Sequence, residues 1–225
     1  MAADRAGPPG PQAPMLVACA LRIEQAALRS GGGRAATRTG PGHTVLRTGM
    51  GPRAAERAVG RALSEPGLCL APVLATGFCA GLVPGMSPGD LVVAEETRDP
   101  RGSVTCDGTV LLAEALARAA PGRTVHTGVL TGSDHVVRGQ ERARLRATGA
   151  IAVDMESAAT LWTATRAAAH GRNRPVAAVR VIVDAPEHEL VRIGTFRGGI
   201  SAFRVLRAVL PAFADWHRSL LLPRR

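Results

Sequence analysis

The chain has 225 residues, 46% of them hydrophobic, and a formal net charge of +10. That length and apolar content suit one α/β domain with a sizeable core, and no apolar run reaches the roughly 18 residues of a membrane-spanning helix. Only 3% of residues are aromatic, so a stacking platform for single-stranded nucleic acid is not expected.

Lys is absent, so all 28 basic residues are Arg. They are scattered along helical segments, which points to a composition that uses Arg for Lys throughout. An anionic partner is the second reading of the charge. Cys19, Cys69, Cys79 and Cys106 show neither metal nor disulfide spacing and read as buried thiols.

Residues 1–14 are rich in Pro, Gly and Ala and lack an apolar signal core. They read as a flexible tail before one domain over 15–225, and a cytoplasmic location is expected. Met15 to Ala20 predicts a first buried strand, Ile23 to Leu28 the start of a helix, and Gly31-Gly-Gly33 a turn. His43 to Arg47 predicts a strand ending at the Gly49-Met-Gly51 turn. Pro52 suits the first turn of a helix that Arg53 to Leu63 continues. Leu68 to Thr76 predicts a buried strand running into the loop Gly77-Phe-Cys-Ala-Gly81, and Gly89 to Ala94 a further strand.

Thr109 to Ala119 predicts a helix, Thr124 to Leu130 a strand, Ala150 to Val153 a strand and Ser157 to Ala169 a helix. Pro175 to Val183 predicts a Val-rich strand, and Gly198 to Leu222 a helical region broken near Pro211. Strands alternating with helices predict a largely parallel sheet with helices packed around it. The last segment, Arg204 to Arg225, has apolar residues at helical spacing with interleaved Arg and one Trp. Packing on the sheet is its first reading, and peripheral contact with an anionic membrane the second.

Two apolar runs end on acids: Ala150-Ile-Ala-Val-Asp-Met-Glu-Ser157 and Arg180-Val-Ile-Val-Asp184. A hydrophobic strand that stops at a carboxylate delivers it to the rim of a buried sheet, where α/β enzymes place their chemistry. Glu156 and Asp184 are therefore candidates to face one pocket. Met155 can pack its thioether on a ligand's apolar face, or simply fill the core. Plainer readings exist for the acids as well: Glu156 as a first-turn helix acid, and Asp184 as a turn residue before Pro186.

Val153-Asp-Met-Glu-Ser-Ala-Ala159 and Arg180-Val-Ile-Val-Asp184 together resemble the signature of the purine nucleoside phosphorylase and methylthioadenosine/adenosylhomocysteine nucleosidase superfamily. The likeness runs from about Met15 to Leu221. Arg47-Thr-Gly-Met-Gly-Pro52, Leu130-Thr-Gly-Ser-Asp-His-Val-Val137 and Ala152-Val-Asp-Met-Glu-Ser157 most resemble the hopanoid-associated phosphorylases within it. The resemblance implies a three-layer α/β/α fold with a mixed, mostly parallel central sheet. It also implies cleavage of the N-glycosidic bond of a 5′-substituted adenosine, with adenosylhopane as the indicated substrate and methylthioadenosine or adenosylhomocysteine as the alternative. A non-catalytic nucleoside-binding or membrane-surface protein on the same fold is the rival of another class.

Residue roles follow from the same likeness. Asp184 matches the acid that protonates or hydrogen-bonds purine N7, and apolar Val183 and Ala185 beside it would favour the proton-carrying form. Glu156 matches the glutamate that accepts hydrogen bonds from the ribose 2′- and 3′-hydroxyls, and Met155 would pack on the sugar. Glu24 matches the glutamate that activates water, with a solvated helix face as its plain alternative. Gly77 and Phe78 match the glycine loop, Phe78 making the pocket more apolar, while Met50 and Gly51 would line the nucleophile site. His135 falls where a ring stacks on the base, or is an ordinary surface His, and Val136 would pair its backbone with the purine edge. Phosphorolytic relatives place an Arg near position 24 and an Arg and a Ser about the glycine loop. Here those places hold Glu24, Ala75 and Phe78, so Arg22 or Arg47 is the alternative cation for phosphate. Inorganic phosphate is a candidate co-substrate, no metal or organic cofactor is implied, and a homo-oligomer is expected.

Overall fold

The computed structural model describes residues 14–31, 42–167, 173–186 and 195–220. The readings of residues 1–13 as a tail, of Gly32 and Gly33 as a turn, of Ala168 and Ala169 as helix and of the final arginines lie outside the described residues. The elements run β1 (Met15–Cys19), α1 (Arg22–Gly31), β2 (His43–Arg47), α2 (Pro52–Leu63), β3 (Val73–Gly81), β4 (Leu91–Asp99) and β5 (Gly102–Thr105). They continue α3 (Thr109–Ala119), β6 (Val125–Gly132), α4 (Gln140–Ala147), β7 (Ala150–Asp154), α5 (Ser157–Arg166), β8 (Val176–Asp184), α6 (Thr195–Ala208) and α7 (Leu210–Ser219).

Period-2 alternation divides each buried strand between two cores. Met15, Val17 and Cys19 of β1 join Leu74, Leu91, Val93, Val179 and Val181 in a core covered by α1, α3, α6 and α7. Leu16 and Ala18 join Val73, Ala75, Val92, Ala178 and Ile182 in a second core covered by α2 and α5. Two apolar faces explain why these strands read as unbroken hydrophobic runs. The result is a mixed α/β domain with helices on both faces of a mostly parallel sheet.

The eight strands share one sheet of order β2-β1-β3-β7-β6-β4-β5, with β8 bridging β3 and β4. β3 pairs with β8, β8 with β4, β4 with β6, β6 with β7, and β7 with β3, so five strands close a ring. α5 packs against β3, β4, β5, β6 and β8, within the curl of the sheet.

Three sequence expectations change. Gly77 to Gly81 is strand and not a loop, because β3 carries on through it, paired with β8 and then also with β7. Small residues have weak strand propensity, yet here a partner on each side holds the backbone extended. Leu68 to Leu70, expected as strand, lie in turns before β3. β5 and α4 stand where no element was expected; α4 is a polar surface helix whose sequence lacks an apolar stripe.

Trp216 is buried and donates its indole N–H to the Asp107 carbonyl at 2.8 Å, so α7 docks on the domain through its aromatic residue. No helix among the described residues is long and apolar enough to cross a membrane. Cys19, Cys79 and Cys106 are buried as expected, with the Cys19 and Cys106 thiols pushed up to about 12 chiefly by burial, but Cys69 is part-exposed.

Candidate active site

The site forms where α1, β3, the start of α5 and β8 converge, and it is organised by a charge inside β8. Arg180 lies in the middle of the Val-rich strand and is 1% exposed. Its side chain points to the α2/α5 side of the sheet, like Ala178 and Ile182. Nε donates to Ser157 Oγ at 2.8 Å and Nη1 to the Thr76 carbonyl at 2.9 Å. Nη2 pairs with Asp154 Oδ2 at 2.5 Å, and Nη1 lies 4.0 Å from Glu156 Oε2. Burial opposes this charge, but Asp154, Glu156 and Glu24 outweigh it and hold the guanidinium above its ordinary value.

Glu24 occupies the first turn of α1 and bends back over the helix start. Its Oε2 accepts the backbone N–H groups of Ala20 and Leu21, each at 2.8 Å, the glutamate half of a capping box. Oε1 accepts the N–H of Phe78 on β3 at 2.9 Å. Glu24 is 1% exposed, so the solvated-face alternative does not hold. Burial raises its pKa, with Arg180 and the three N–H groups acting against that rise.

Gly77 makes the close approach geometrically possible. A Cβ there would stand 2.5 Å from Glu24 Oε1 and 2.6 Å from Arg180 Nη1. Its φ of +134° is also one that side-chain-bearing residues avoid.

Glu156 precedes α5 and is buried. Its Oε1 accepts the Gly51 N–H at 2.8 Å, which ties the Gly49-Met-Gly51 turn to the end of β7. Burial raises the Glu156 pKa, Arg180 lowers it, and Asp154 adds to the rise. Asp154 itself accepts the Ser157 N–H at the start of α5, at 3.1 Å through Oδ2. Met155 between them is part-exposed.

Asp184 ends β8. Ala80 of β3 is in register with both Val153 and Asp184, so the ends of β7 and β8 flank one point of β3. β8 carries one extra residue, Val183, between the pairings of Ile182 and Asp184; such a bulge re-aims the side chain that follows. Its apolar neighbours Val183 and Ala185 pack into the two cores, but a cation also faces its carboxylate. Arg142 of α4 forms an ion pair with Oδ2 through Nη2.

The remaining candidates are distributed around this cluster. The Phe78 ring is part-buried against the α1/α6 core. Met50 and Val136 are exposed, at 66% and 62%. His135 is exposed and paired with Asp134 and Glu141, its hydrogen bond to Asp134 first among the causes that raise its pKa. It makes no bond to Glu24, Glu156 or Arg180. Arg22 and Arg47 are exposed, whereas Arg180 is buried among Asp154, Glu156 and Glu24.

The geometry thus joins Glu24, Gly77, Phe78, Gly51 and Glu156 through direct bonds or close approach. Asp154 and Arg180 complete that group, and neither was assigned a role from sequence. A charge inside a buried apolar strand must find carboxylates, so Arg180 was a legible signal. Arg142, on a polar helix, left none. Among the described residues no cluster of His, Cys, Asp and Glu is placed to hold a metal ion.

The family model of the phosphorylase superfamily matches residues 30–210. The comparison with curated proteins returned no match. Among solved structures, 5′-methylthioadenosine/S-adenosylhomocysteine nucleosidase from Neisseria meningitidis, in complex with methylthio-immucillin-A, superposes with a TM-score of 0.72 at 21% identity, covering 91% of this chain and 100% of its own. Futalosine hydrolase of Helicobacter pylori gives 0.71 at 15% identity, covering 90% and 97%. The nucleosidase of Colwellia psychrerythraea in complex with adenine gives 0.66 at 18%, covering 89% and 96%. At these identities the likeness is one of fold.

Proposed function

The chain belongs to the phosphorylase superfamily, and on that premise we propose that it cleaves the N-glycosidic bond of a 5′-substituted adenosine by hydrolysis, releasing adenine. The observation that carries this reading is the buried pair of carboxylates, Glu24 and Glu156, that share the cation Arg180. Glu156 offers a carboxylate to the ribose cis-diol, with Gly51 holding one oxygen. Glu24, its pKa raised by burial, is suited to take a proton from water near the anomeric carbon. In the reaction the C1′–N9 electron pair moves onto the base, Asp184 supplies a proton to N7, and the water oxygen bonds to C1′. The water's proton passes to Glu24, and the products are adenine and the free sugar.

Hydrolysis is favoured over phosphorolysis by charge. Among the described residues Asp154, Glu156 and Glu24 share the cation Arg180, and Arg142 is paired with Asp184, so a phosphate anion would meet an excess of negative charge. For the 5′ group, the likeness of Arg47–Pro52 and Leu130–Val137 to hopanoid-associated enzymes supports adenosylhopane. The fold shared with a methylthioadenosine/adenosylhomocysteine nucleosidase supports the second reading, methylthioadenosine. Exposed Met50 and Val136 suit an apolar 5′ substituent in either case.

Adenine release from adenosylhopane and from methylthioadenosine, each with and without phosphate, tests the reading. The expected result is phosphate-independent release from at least one of them. Release only with phosphate would overturn hydrolysis, and none from either substrate would overturn the adenosine assignment.

A further inference from the structure

Arg142 is the one buried side chain of α4. Its Nη2 pairs with Asp184 Oδ2, and its Nε donates to the Val137 carbonyl at 3.4 Å. It therefore ties the segment after β6 to the acid at the end of β8. The outer atoms of this pair are both spare: Asp184 Oδ1 and Arg142 Nη1 are buried with no hydrogen-bond partner among the described residues. Arg174 shows what a guanidinium used by the fold looks like. It donates to the carbonyls of Ala164, Ala71, Cys69 and Ala167, and each of its nitrogens is occupied.

We propose that Arg142 is a positioning residue for base departure, holding Asp184 by Oδ2 so that Oδ1 is the atom presented to the purine. The inference rests on the nucleosidase reading above. With Oδ2 held by Arg142, Oδ1 is the oxygen that takes up a proton from solvent when substrate binds; as the C1′–N9 bond breaks, that proton moves to N7 and the negative charge returns to Asp184. The guanidinium already bonded to Oδ2 stabilises that charge without any rearrangement. Arg142 touches neither base nor sugar and acts only through Asp184.

The test compares wild type, Arg142→Met and Arg142→Lys on two substrates. One is 5′-methylthioadenosine, or adenosylhopane if that alone is cleaved, whose purine must be protonated to leave. The other is p-nitrophenyl β-D-ribofuranoside, whose leaving group departs without a proton. Arg142→Met should lower kcat on the adenosine substrate by about 10²-fold, with KM and nitrophenol release changed less than about threefold. Arg142→Lys, which keeps the charge but not the planar fork, should recover part of the loss. Equal losses on both substrates would mark Arg142 as structural and overturn the proposal, as would full purine release by Arg142→Met. If Arg142→Met does not fold, the ratio of the two activities in Arg142→Lys decides by the same criterion. A wild type that releases nitrophenol but no purine would overturn the adenosine reading and this inference together, a result distinct from the others.

Discussion

Arg180 and Asp154 form a fully buried ion pair, Nη2 to Oδ2 at 2.5 Å with both side chains 1% exposed. The pair joins β8 to the end of β7, and its remaining donors reach Ser157 and Thr76. Glu24 and Glu156 then share the same cation, so the charge balance of the site depends on one guanidinium.

Replacing that guanidinium should be costly. Arg180→Met leaves Asp154 buried without its counter-ion, and breaking a buried pair from one side costs about 3–5 kcal/mol. Urea denaturation at neutral pH should show a loss of that size. A change below about 1 kcal/mol would mean that water already reaches the pair.

Stability should also depend on pH through Glu24. Its folded pKa is raised above 4.5, so the folded state holds the proton more tightly than the unfolded chain does. The corresponding stability is fully present below about pH 4.5 and is lost as pH rises through the raised value. Glu24→Gln removes this dependence. Plotted against pH, the stability of wild type relative to the variant should fall across that window, and a flat difference would contradict the assigned direction.

Gly77→Ala should disable the site. The added methyl would press on Glu24 Oε1 and Arg180 Nη1 and would impose a side chain at a φ of +134°. The backbone strain alone is of order 1–3 kcal/mol. Thermal melting should drop and adenine release should fall further than the melting shift accounts for. Wild-type activity in a folded variant would show that the two side chains can move apart.

Met50 offers a check on the 5′ group. It is 66% exposed beside Gly51, whose N–H is bonded to Glu156. Met50→Asp should raise KM for an apolar 5′-substituted adenosine by about tenfold, the scale of one lost apolar contact in a pocket. Adenosine itself should be affected less. Equal effects on both would place Met50 away from the substituent.

The unbroken apolar runs of β1 and β8, the helix opened by Pro52 and the carboxylates at the ends of β7 and β8 were all legible in sequence, because each depends on local composition or on a single residue's backbone preference. Glu24 was legible as a residue but not as a buried one. What buries it is the N–H of Phe78, fifty-four positions away on β3, and a helical pattern carries no information about that partner. The strand through Gly77 to Gly81 was hidden for a related reason: small residues have little intrinsic strand preference, and only pairing with β7 and β8 extends them. The tertiary structure alone decided that Arg180 faces three carboxylates from separate elements and that Arg142, on a polar helix, meets Asp184. Electrostatic balance in a site is a property of converging chains, since a charge is tolerated or costly according to what stands across from it once water is excluded.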